Sequence, residues 1–180
     1  MKVHHQLKTT LDLPLAPREA LAFVQNVQVS LRRVRFMQGL RVVPAGDRGS
    51  RARVRANVPV VVPLIGPYQL EFESALESTP RGARLHALPP ADGGKKGWAE
   101  VSGEAEVSPL PSGSRLAYAL DITVHVTLPE PEGWGGRALL KMVEVTAQKV
   151  VADITQDFPE AVGKAALELE RATRATLSSQ

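Results

Sequence analysis

A chain of 180 residues that is 43% hydrophobic has the length and apolar content for one domain with a sizeable core, so a single domain over residues 1–180 is expected. The net charge is +3, and the absence of Cys removes disulfides, thiolate catalysis and Cys-ligated zinc together. No cleavable signal pattern opens the chain. Its longest near-apolar segment, Val58 to Ile65, is broken by Pro59 and Pro63, which points to a soluble, cytoplasmic protein.

Val3, His5, Leu7, Thr9, Leu11 and Leu13 alternate with polar neighbours, the period-2 signature of a half-buried first strand that Pro14 ends. Pro17 then opens a helix whose Ala20, Phe23, Val24 and Val27 share one face, and a short helical turn is predicted over Val29 to Arg35. Strands follow over Leu40 to Val43 and Ala52 to Val62, joined by the turn residues Ala45 to Gly49. Leu70, Phe72, Ser74 and Leu76 alternate with Glu71, Glu73 and Ala75 in the next strand. Arg84 to Leu88, Trp98 to Val107 and Arg115 to Leu128 complete the series, divided by Pro- and Gly-rich turns. From Gly136 the spacing becomes helical, with Leu139, Val143, Thr146, Val150, Ile154 and Phe158 three or four apart. Pro159 is expected to kink or restart that helix, and the last 15 or so residues to form a frayed helical tail.

The element order is strand, one or two short helices, about six more strands and a long C-terminal helix. In that order, and in the runs Arg51 to Val58, Tyr68 to Leu76, Gly97 to Ala105 and Ser112 to Tyr118, the chain resembles the START-like (SRPBCC) superfamily. Within it, the branch resembling the small G-type accessory protein of carbon monoxide dehydrogenase is nearest. The resemblance implies an α+β helix-grip fold: a strongly curved antiparallel sheet of about six or seven strands wrapped around the C-terminal helix. It also implies a cavity between sheet and helix for an apolar or amphipathic molecule. No catalytic signature of the enzymatic members is present to carry over, so no catalytic residue is assigned.

The candidates for lining such a cavity are Leu70, Phe72, Leu76, Trp98, Tyr118, Leu120, Ile122, Val124, Leu139, Met142, Val143 and Val150; plain core packing explains the same pattern. With 4% aromatic residues, many inward positions are Val, Ala or Leu, which leave more room than rings would. The four histidines, His4, His5, His86 and His125, lack metal-ligand spacing, so neither a metal nor a cofactor is expected. His125 and the carboxylates Glu100, Glu104 and Glu106 are placed on an outer, solvated sheet face.

Charge is distributed unevenly, with 11 Lys+Arg against 3 Asp+Glu in residues 1–60 and 11 against 16 in the remaining 120. Arg51, Arg53 and Arg55 recur at period 2 and so share a strand face that Arg41 can join. Three functional readings follow. The first is non-enzymatic binding or transport of a hydrophobic small molecule such as a lipid, isoprenoid or quinone. The second is an interaction module that meets an anionic partner, RNA or a membrane surface, through the Arg32 to Arg55 surface, without a specific nucleic-acid site. The third is a cyclase- or hydrolase-like enzyme of the same fold. A homodimer through an exposed sheet edge is compatible with each.

Overall fold

The computed structural model describes residues 2–35, 37–44, 51–62, 66–90, 97–126 and 136–178. Strand β1 (Lys2–Leu13) leads into α1 (Pro17–Gln25) and α2 (Val27–Ser30), and β2 (Gln38–Val43) through β7 follow as strands. These are β3 (Ala52–Val62), β4 (Gly66–Thr79), β5 (Gly82–Leu88), β6 (Gly97–Leu110) and β7 (Gly113–Val126), and α3 (Gly136–Ser178) ends the described chain. The sheet runs β1-β7-β6-β5-β4-β3-β2, each neighbouring pair antiparallel. This is the α+β helix-grip architecture expected from the element order.

Several local signals act as read. Pro17 stands at the start of α1, and the Glu19 carboxylate accepts a hydrogen bond from the Ala16 N–H (3.0 Å), satisfying a backbone donor that the first turn would leave open. The face carrying Ala20, Phe23 and Val24 is buried, continued by Val27 on α2. Gln25 Nε2 donates to the Thr79 and Gly82 carbonyls, fastening the end of α1 to the β4–β5 turn.

Strand β5 has seven residues between neighbours of 14, and where it ends β4 and β6 meet directly at Glu71 and Trp98. Two glycines allow the strands to pass closely. A Cβ on Gly82 would stand 1.8 Å from the Ala105 carbonyl oxygen. One on Gly103, whose φ is +143°, would stand 2.1 Å from that of Ala119.

The C-terminal helix departs from expectation. It continues through Pro159 without a restart and stays helical to Ser178 instead of fraying. At 1.5 Å per residue its 43 residues extend about 65 Å. Proline removes one backbone donor and crowds the preceding turn, but tertiary burial on both sides of it outweighs that penalty: Phe158, Val162, Ala165 and Ala166 are each 0% exposed. The helix therefore seals the core with its second half. It touches both β1 and β3, which lie toward opposite edges of the sheet, and it touches α2 as well. Among the described residues no helix is long and apolar enough to cross a membrane.

Candidate functional site

The helix-facing side of the sheet is set by strict alternation. Val54, Ala56 and Val58 on β3, Leu70, Phe72 and Leu76 on β4, Ala99, Val101 and Ala105 on β6, and Leu116, Tyr118, Leu120 and Ile122 on β7 are all buried. Of the twelve lining candidates, Leu70, Phe72, Leu76, Tyr118, Leu120 and Ile122 thus lie inside, and Val124 is half-buried beside them on the same face. Leu76, Tyr118 and Leu120 line a cavity of about 30 Å³ beneath α1 and α2, with Val24, Val27, Ser30 and Phe158 closing it.

Two candidates are misplaced by the sequence reading. Trp98 lies on the outer face: Ala99 and Val101 take the inward positions of β6, so period 2 turns Trp98 outward with Glu100. There it pairs in register with His125, their rings stacked 4.2 Å apart at 2°. Met142 is 42% exposed on α3, because the stripe that meets the core lies a helical half-length further on, at Phe158 to Ala166. The side chains of Leu139, Val143 and Val150 lie outside the described residues.

Three interior features escaped the sequence reading. Phe158 packs edge-on against Tyr118, ring centroids 5.0 Å apart at 89°. His5 faces inward from β1 and its Nε2 meets Thr155 Oγ1 of α3 at 2.8 Å, a polar tie between the edge strand and the helix. Ser30, 1% exposed, follows Val27 by three residues and so shares its buried face, a spacing that could have found it.

Polar groups buried in this interior are otherwise paired. Ser74 Oγ donates to the Val101 carbonyl (2.6 Å) and Ser114 Oγ to that of Leu15 (2.9 Å), while Thr123, buried on the opposite face of β7, meets His4 Nδ1 through Oγ1 (3.1 Å). Ser30 Oγ has no hydrogen-bond partner of normal geometry among the described residues. It nonetheless lies close enough to the Tyr118 hydroxyl to oppose part of the upward pKa shift that burial imposes on that phenol, which stays protonated.

The outer face is a lattice of arginine–carboxylate ion pairs and histidine–carboxylate hydrogen bonds. Arg53 Nη1 and Arg55 Nε contact the two Glu73 carboxylate oxygens at 3.0 and 2.9 Å, and Arg51 reaches Glu77 at 3.2 Å. His86 Nε2 meets Glu77 at 2.9 Å, Arg84 meets Glu104 at 3.0 Å, Arg81 meets Glu106 at 2.9 Å and His125 meets Glu100 at 3.1 Å. Burial raises the Glu73 pKa, but hydrogen bonds from Arg55 and Arg53 outweigh it and leave the carboxyl below its ordinary value. Arg32 and Arg33 both grip Glu168 of α3. The described arginines Arg51, Arg53 and Arg55 thus form a structural lattice with acids of β4, while Arg41 stands in register with Arg55.

Known structures share this architecture. The KanY protein is 11% identical, with 91% of this chain and 98% of that one covered and a TM-score of 0.53. The Zhui aromatase/cyclase from Streptomyces sp. R1128 is 15% identical, with 95% and 98% covered and a TM-score of 0.52. A START superfamily protein from Mycobacterium smegmatis is 16% identical, with 87% and 97% covered and a TM-score of 0.44. At identities this low the first two, with TM-scores above 0.5, speak for the helix-grip fold alone. No curated protein matches the chain. Residues 8–156 match the family described as "Protein of unknown function (DUF3809)", and the chain belongs to that family.

Proposed function

We propose that the chain binds an apolar small molecule, of the lipid, isoprenoid or quinone kind, between the sheet and α3 without transforming it. The observation that carries this reading is the chemistry of the helix-facing side, which is apolar from β3 to β7 and roofed by a helix that reaches toward both sheet edges. The buried polar side chains described there, Ser30, Ser74, Ser114 and Tyr118, are hydroxyls, and the inward-facing His5 is tied to Thr155 rather than to a carboxylate, so no acid–base pair converges among the described residues and binding is favoured over acid–base chemistry. Because Phe158 packs one end down to about 30 Å³, the reading places the ligand body toward the other end of that face, beside Ile122 and Val124.

The ion pairing of Arg51, Arg53 and Arg55 removes the main support for an anionic partner on that surface. Protein isolated without detergent and measured intact by native mass spectrometry is expected to carry an apolar adduct, or to take up an apolar fluorescent dye once extracted. Leu120→Trp, which fills the described cavity, should reduce uptake while the far-UV circular dichroism is retained. Neither adduct nor dye uptake in the wild-type protein would overturn the reading.

A further inference from the structure

Ser30 is the exception in an interior that otherwise satisfies its hydroxyls. Its Oγ is buried, has no partner of normal geometry among the described residues, and lies on the wall of a cavity that Tyr118 also lines. A buried hydroxyl without a partner is destabilising, and native proteins seldom retain one unless something else completes it. The cavity around it, about 30 Å³, accommodates one water-sized group, and such a group needs at least two polar neighbours, which Ser30 and Tyr118 supply.

The surroundings also select charge. Among the described lining residues there is no Lys or Arg, and Glu104, the one carboxylate on the wall, pairs outward with Arg84. A carboxylate or phosphate seated here would be a buried, unpaired charge, whereas an alcohol or a ketone oxygen would be matched by two hydroxyls able to donate or accept. Burial keeps Tyr118 a neutral phenol, consistent with the same selection.

We propose that Ser30 and Tyr118 form the polar end of the binding site and take an uncharged oxygen, the hydroxyl or carbonyl of an otherwise apolar ligand. This rests on the binding function proposed above. The site then sorts apolar molecules by head group, accepting alcohols and ketones and rejecting fatty acids and phospholipids.

The test uses four probes with a common ten-carbon chain: 1-decanol, 2-decanone, decanoate at pH 8 and 1-chlorodecane, each displacing a bound apolar dye. In the wild-type protein the alcohol and the ketone are expected to bind about tenfold tighter than the chloride, with decanoate weakest. Ser30→Ala and Tyr118→Phe should each erase that advantage over the chloride. Without ligand, Ser30→Ala should match or exceed the wild-type Tm, since it deletes an unpaired hydroxyl; a purely structural role would lower it. If all four probes bind alike, or decanoate binds best, the head-group selection is wrong and the binding function stands. If the dye binds and no probe displaces it, the head-group selection falls and the binding function stands; if neither dye nor probe binds, both fall.

Discussion

On its helix-facing side the sheet buries Val54, Leu70, Phe72, Val101, Leu116 and Leu120, while one residue along the same strands the outer side carries Arg53, Arg55, Glu73, Glu77, Arg84 and Glu104 in ion pairs. Both faces obey the same period of two, yet they are held together differently. The inner face is non-directional: any apolar side chain of suitable size contributes, and α3 is what removes it from water. The outer face depends on register, since Arg55 meets Glu73 only because the β3–β4 pairing sets those two residues opposite one another. A shift of one residue would exchange the two faces entirely.

The comparison is tested most severely at Phe158. Phe158→Ala empties the point where α3 meets Tyr118 and should lower unfolding free energy by about 3–5 kcal/mol in urea titration, with no dependence on salt. A loss below about 1 kcal/mol would show that the second half of α3 does not seal the core. On the outer face the expected effect is smaller and of another character. Glu73→Gln removes the acceptor of two arginines and should cost about 0.5–1 kcal/mol at low salt, shrinking as salt is added. Equal losses at low and high salt would assign Glu73 to packing instead.

Acid acts on the paired carboxylates of the sheet and of α3 together. Asp12, Glu73, Glu77, Glu160 and Glu168 all have folded pKa values below their ordinary ones, with Arg or Lys partners or, for Glu77, first a hydrogen bond to His86. Depressed carboxyls stabilise the folded state above the unfolded pKa, here 3.8 for Asp and 4.5 for Glu, and lose that contribution as pH falls through the folded values. The urea midpoint should therefore hold steady from pH 7 to about 5 and decline below about 4.5. High salt should flatten the decline, and a midpoint that stayed constant to pH 3 would contradict the depressed values.

Legibility in the sequence follows the range of the physics involved. The alternation of Leu116, Tyr118, Leu120 and Ile122, and the α1 face of Ala20, Phe23 and Val24, are readable because each repeats within a few residues. Size alone assigns Trp98 inward, although its own strand's period puts Ala99 and Val101 there. The arginine row reads as unopposed because its acids, Glu73 and Glu77, lie on the next strand, and Glu168 lies more than 130 residues from Arg32.

By itself the sequence determined the order and type of the elements, the two faces of most strands and the existence of a long final helix, since period, proline and glycine act locally through backbone sterics. Tertiary structure decided which part of that helix seals the core, how the basic strand is neutralised and that Ser30 and Tyr118 share one cavity. Those outcomes depend on contacts between residues tens to more than a hundred positions apart, where register and chain path, not local propensity, set what each side chain meets.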